Sequence, residues 1–103
     1  MDEQLTSILR DARRSFEGEG FIILGVFGSR ARGDHRANSD LDLLYRLEER
    51  FYRRYPGWEA AARLDDIRKD LQARTGLSVD MANGETLHDV GRKYILPETI
   101  YVA

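Results

Sequence analysis

Gly28-Ser29-Arg30-Ala31-Arg32-Gly33 and, ten residues beyond Ser29, Ser39-Asp40-Leu41-Asp42-Leu43-Leu44 are the stretches whose reading decides the fold of this chain. The first follows directly on an apolar run, Phe21-Ile22-Ile23-Leu24-Gly25-Val26-Phe27, so a buried strand delivers a Gly-Ser turn to the edge of a sheet. In the second stretch, aspartates alternate with leucines. Residues two apart on a strand share a face, which sends Asp40 and Asp42 to one side while Leu41 and Leu43 enter a core. Two carboxylates about 5 Å apart repel by roughly 3 kcal/mol at an effective dielectric near 20. A raised pKa, an arginine or a hard cation such as Mg2+ relieves that repulsion. Magnesium is commonly held by one or two carboxylates with substrate phosphates filling further positions, and Gly28-Ser29 is the matching phosphate cradle: Gly28 permits close backbone approach, and a helical turn beginning at Ser29 presents free N–H groups. The bland reading of the same residues is an ordinary N-cap serine and a solvated strand face.

Size and charge narrow the possibilities. A chain of 103 residues is read as one domain spanning 1–103, too short for a core plus a separate substrate domain. The formal charge of −2 and a pI near 5.7 supply no global attraction to nucleic acid or anionic membranes, so nucleic acid is not expected as a direct ligand. Without cysteine there are no disulfides or thiolate metal sites, and the N-terminus Met1-Asp2-Glu3-Gln4 lacks the apolar stretch of a signal peptide. No segment approaches the ~20 apolar residues that span a bilayer. A soluble cytoplasmic protein is the expectation.

Along the chain, Leu5, Ile8, Leu9, Ala12 and Phe16 recur near a helical period and predict a helix over Asp2 to Glu17, ended by Gly18-Glu19-Gly20. A short helical turn over Ser29 to Arg32 precedes a polar loop and then the aspartate strand, roughly Leu41 to Tyr45. Arg46 to Gly57 reads as a charged, aromatic connection broken at Pro56-Gly57. Ala60, Leu64, Ile67 and Leu71 place a second helix over Trp58 to Arg74, with Gly76 as its stop. Leu77 to Ala82 predicts a strand, Thr86 to Leu96 a last helix stopped near Pro97, and Thr99 to Val102 a closing strand. The expected fold class is α/β (α+β): a small mixed β-sheet with helices mainly on one face.

Several alternatives fail on the residues themselves. Gly28 and Gly33 have P-loop spacing, but Asp34-His35 stands where that motif needs lysine and a hydroxyl residue. Leu43 and Leu44 exclude a calcium-binding EF-hand loop. His35 and His88 read as solvated, and no histidine pair has ligand spacing. Arg30 and Arg32 are candidates to fork onto phosphate or, equally, to pair with Asp34 or Glu48 at the surface. Ser39 is a candidate to orient Asp40. Phe51-Tyr52-Arg53-Arg54-Tyr55 with Trp58 reads either as a partner-docking surface or nucleobase platform or, the expectation taken here, as rings of which several pack under the second helix while the arginines stay wet.

The Gly28-Ser29-Arg30-Ala31-Arg32-Gly33 string, the ten-residue interval and Ser39-Asp40-Leu41-Asp42-Leu43 together resemble the signature of the DNA polymerase beta-like nucleotidyltransferases. The small size and the Arg-Ala-Arg-Gly continuation resemble the minimal nucleotidyltransferases, antitoxins paired with HEPN-domain toxins; the resemblance runs from Phe21 to about Asn83. It implies a polymerase beta-like fold and Mg2+-dependent transfer of AMP from ATP to a tyrosine hydroxyl of a HEPN ribonuclease toxin. It also implies a third carboxylate, for which Asp80 fits because Val79 and Met81 would face the core. Asp40, Asp42 and Asp80 are then the catalytic and metal-holding set, with Gly28, Ser29, Arg30, Arg32 and Ser39 about the nucleotide. Two other readings stay open: an antitoxin that only occludes its partner, and a transferase for a small-molecule hydroxyl.

Overall fold

The structure is a computed structural model that describes residues 1–102, and of residue 90 the backbone alone. Asp2 caps the first helix, α1 (Glu3–Glu17), its Oδ1 accepting the Gln4 and Leu5 amides at 2.6 and 3.2 Å. Leu5, Leu9, Ala12 and Phe16 form its buried stripe. There follow β1 (Phe21–Phe27), α2 (Gly28–Arg32), β2 (Leu41–Leu47), α3 (Glu49–Arg54), α4 (Glu59–Thr75), β3 (Val79–Asn83), α5 (Asp89–Glu98) and β4 (Ile100–Tyr101). The strands make one mixed sheet in the order β3-β2-β1-β4. β1 is antiparallel to both β2 and β4, while β2 and β3 run parallel. A parallel pair needs a long crossover, and α3 and α4 supply it. The result is the mixed α+β architecture that the patterning predicts.

One sheet face carries Phe21, Ile23, Val26, Leu41, Leu43, Tyr45 and Leu47 into a single cluster with the stripe of α1 and with Ile67 and Leu71 of α4. Phe21 stacks on Tyr45 at 4.9 Å between ring centroids and meets Phe16 edge-on. Ile22 and Leu44 are also buried but lie outside that cluster. β1 keeps its phase only by means of a bulge. Ile23 faces Tyr45 and Gly25 faces Leu44, leaving Leu24 as the extra residue. The extra residue returns Val26 to the core and puts Phe27 opposite Asp42 on the other face. Arg13 of α1 donates to the Ile23 carbonyl (3.1 Å) and to the Val102 carbonyl (2.5 Å), and the Val102 amide donates to Leu24 (2.8 Å), so helix, bulge and chain end are tied together. A Cβ on Gly25 would strike the Ile100 backbone, so glycine there lets β4 approach.

The structure corrects several boundaries. The connection after β2 contains α3, whose Phe51 is fully buried, and β2 itself runs on to Leu47. β3 starts at Val79 rather than Leu77, because the left-handed Gly76 and a 3.2 Å bond from the Leu77 amide to Thr75 Oγ1 use the preceding residues to end α4. α5 begins at Asp89 and passes through Pro97 to Glu98, since a proline in the last turn removes one helical hydrogen bond without breaking the turn. Thr99 completes that turn through its hydroxyl to the Ile95 carbonyl (2.7 Å), leaving β4 only two residues. Of the aromatic stretch, Phe51 is buried and Tyr55 half-buried, whereas Tyr52 and Trp58 are exposed.

Candidate active site

β1 ends at Phe27 and the chain turns at Gly28, whose φ of +74° is the left-handed conformation that glycine adopts without strain. A second constraint acts at the same atom: a Cβ on Gly28 would run into the Asp42 carboxylate. The turn and the aspartate strand are therefore in van der Waals contact, and only glycine fits between them. Ser29 opens the first turn of α2, half-buried, and its carbonyl accepts the Gly33 and Asp34 amides at 2.9 and 3.1 Å.

Register brings the carboxylates together. Asp42 lies opposite Phe27 on one side and opposite Asp80 on the other, in the parallel β2–β3 ladder. Residues directly opposite each other share a face, so Asp42 and Asp80 project to the same side, and Asp40 joins them two residues earlier at the strand's entrance. Leu41 and Val79, and Leu43 and Met81, pair on the core side. Asp40 and Asp80 are exposed and Asp42 is half-buried. Burial pushes the Asp42 carboxyl above the usual carboxylate range, the neighbouring Asp80 and Asp40 charges push it further, and Arg32 opposes them.

The two arginines separate. Arg30 turns back on the loop, donating from Nε (3.3 Å) and Nη2 (2.9 Å) to the Ser39 carbonyl, while the Ser39 hydroxyl accepts the Arg36 amide at 2.8 Å. These bonds close the loop between the Gly-Ser turn and Asp40. Arg32 instead lies on the side of the carboxylates, its Nε 3.2 Å from Asp34 and its Nη1 3.2 Å from Glu98 Oε2. Glu98 is a participant that the sequence did not disclose. Its Oε1 accepts the Gly28 amide at 3.0 Å, a contact made across 70 residues with no local signature. His35 and His88 are both exposed.

Such a site can grip an anion at the turn and concentrate negative charge beside it. An open cleft of about 260 Å3 runs past Asp80, lined also by Tyr45, Leu64, Arg68 and Met81. A larger hollow of about 510 Å3, between the start of α1, Arg30 and the end of α4, has none of the three aspartates in its lining and is not where the charges meet.

Residues 7–102 match the nucleotidyltransferase domain family. The chain belongs to the nucleotidyltransferases. It is 31% identical over 101 residues to "Protein adenylyltransferase MntA" of Thermococcus cleftensis, an alignment covering 97% of this chain and 94% of that one. A solved structure described as a minimal nucleotidyltransferase superposes with a TM-score of 0.68 at 33% identity, over 97% of this chain and 95% of the other. As a nucleotidyltransferase the chain is an enzyme acting on a nucleotide substrate, and its turn and carboxylates lie on one compact surface. Among the described residues, no helix of this nucleotidyltransferase is long and apolar enough to cross a membrane.

The family implies a divalent cation, and the donors can be tested against one. All three are carboxylates, the ligand type Mg2+ prefers, and their mutual repulsion is already visible at Asp42. Among the described residues no three acidic or histidine side chains are gathered closely enough to enclose an ion by themselves. Mg2+ does not require such a cage, since it keeps several waters and takes phosphate oxygens from its substrate.

Proposed function

We propose that this nucleotidyltransferase, acting as a single domain, transfers AMP from ATP to a tyrosine hydroxyl of a HEPN-domain ribonuclease toxin and so serves as its antitoxin. The observation that supports the reading is the contact of the Gly28 turn with Asp42 while Asp42 stands in register with Asp80, which sets the Gly-Ser turn beside a pair of carboxylates. The similarity to a protein adenylyltransferase supports AMP as the transferred group and protein as the acceptor. The placement of Asp80 on an edge strand supports the same acceptor class, since a bulky partner can reach it from the side.

In the reaction, the acceptor oxygen attacks the α-phosphorus, the bond from that phosphorus to the bridging oxygen breaks, and pyrophosphate departs. Asp80 orients the acceptor hydroxyl and receives its proton. The Gly28 amide, Ser29 and Arg32 hold the phosphates in line, while Arg30 fixes the loop that carries Ser39 and Asp40. Asp40 and Asp42, with Asp80, would hold Mg2+, which when bound neutralises the triphosphate and the leaving pyrophosphate. Modification of the tyrosine blocks the toxin.

With α-labelled ATP, Mg2+ and a mixture of candidate acceptors, label is expected on the HEPN protein. Label confined to small hydroxylated molecules, with none on protein, would reject this acceptor class in favour of a small-molecule transferase.

A further inference from the structure

Glu98 occupies the place this reading gives to a phosphate. We propose that its carboxylate is a built-in competitor for the anion position formed by the Gly28 amide and Arg32, and that a triphosphate binds there by displacing it. The inference rests on the nucleotide reading above and names the groups that form its anion subsite.

Four observations lead to it. The Glu98 carboxylate takes the Gly28 N–H at 3.0 Å and approaches Arg32 Nη1 at 3.2 and 3.5 Å, a backbone donor and a guanidinium acting on one anion, as a phosphate oxygen pair would use them. Gly28 is buried, so its N–H needs an acceptor whenever no substrate is present, and Glu98 is that acceptor. Helix stability does not explain the residue: Glu98 is the last residue of α5, where the helix dipole disfavours a negative charge. It also adds a fourth carboxylate at the Gly28 turn, which itself touches the Asp42 carboxylate.

The backbone beneath Glu98 is fixed. Tyr101 and Ile100 pair with Gly25 and Val26, and Val102 is bonded to both Leu24 and Arg13. The Glu98 side chain is 27% exposed and has solvent beside it. Displacement is therefore a side-chain swing, with α5 and β4 staying in place, and it transfers Arg32 Nη1 from carboxylate to phosphate. Until then, Glu98 shields the turn from weaker anions, so a ligand has to bring enough charge to replace it.

The test is calorimetric binding of inorganic triphosphate, and separately of ATP, in Mg2+ buffer to the wild type, Glu98→Gln and Glu98→Ala, with thermal melts confirming that each is folded. Gln can still accept the Gly28 amide but carries no charge. If the carboxylate holds the position about nine-tenths of the time, its removal tightens triphosphate binding by about tenfold. Both variants are expected to tighten, and saturating triphosphate is expected to shift the Gly28 amide resonance of the wild type. Wild-type affinity or weaker binding in the folded Gln variant would overturn the proposal and make Glu98 a brace for the turn. If the wild type itself binds neither ligand, the nucleotide reading fails and this inference falls with it.

Discussion

Asp42 carries opposing demands. In the folded chain its carboxyl holds a proton more tightly than in the unfolded chain, because of burial first and then the Asp80 and Asp40 charges. The native state therefore binds more protons across the window between the ordinary and the raised value, and stability falls as pH rises through that window. Asp42→Asn removes the charge, so it is expected to raise Tm at pH 7 by a few degrees, on a scale where about 1 kcal/mol moves a chain of this size by roughly 4–8 °C. Thermal melts from pH 7 to pH 3 should show the gain fading as the wild-type carboxyl protonates; an equal gain at every pH would mean that charge is not its origin. The same substitution is expected to abolish transfer, so stability and activity move in opposite directions at one residue. Gly28→Ala is expected to lose both. The left-handed turn alone costs about 1–2 kcal/mol for a residue with a Cβ, and the Asp42 collision adds to it. Chemical denaturation of that variant checks the value.

The elements differ in how far the sequence disclosed them. α1 and α4 were legible because their core-facing residues, Leu5, Leu9, Ala12 and Phe16 in the one and Ala60, Leu64, Ile67 and Leu71 in the other, recur at the helical period. β1 was legible as an element from its apolar run, but its bulge was not: with apolar side chains available to both faces, alternation gives no phase. α3 escaped because six residues with one buried side chain, Phe51, show no period. At the site, the Gly-Ser turn and the aspartate spacing lie within one short stretch, whereas the Asp42–Asp80 register, the turning away of Arg30 and the entry of Glu98 are tertiary. α3 and α4 are joined to the turn before β1 by Glu19, which accepts from Arg63 at 2.8 and 2.7 Å and from the Tyr55 hydroxyl at 2.6 Å. With side-chain exposures of 14% and 26%, this pair is shielded enough to matter. The Arg63 hydrogen bonds hold the Glu19 carboxyl below its usual range, outweighing burial. Its contribution is thus present above the ordinary carboxylate pKa and lost as pH falls through the lowered one. Arg63→Ala is expected to cost about 1.5–3 kcal/mol at pH 7, the range for hydrogen bonds to charged groups. Urea titrations at pH 7 and pH 3 should show the difference shrinking in acid.

At the scale of the molecule, a four-stranded sheet backed by α1 and α4 leaves its other side to the carboxylates, the Gly28 turn and α5. β3 lies at the sheet's edge and Asp80 is exposed there, so on the proposed reading the acceptor reaches Asp80 from the side and the partner brings the surface that surrounds it. Binding of MgATP should raise the Tm of the wild type by mass action, at 100 times its dissociation constant by the equivalent of about 2.7 kcal/mol. The Asp40→Ala, Asp42→Ala double variant should show little of that rise. Catalysis and occlusion both permit a stable complex with a toxin, and only chemistry on the partner separates them. The most direct measurement is intact mass of both proteins after incubation of the chain with ATP, Mg2+ and a HEPN partner, using the wild type and the folded double variant. A gain of one or more AMP units on the partner, absent with the double variant, is the expected result. An unmodified partner that is nevertheless bound and silenced by both proteins would contradict it.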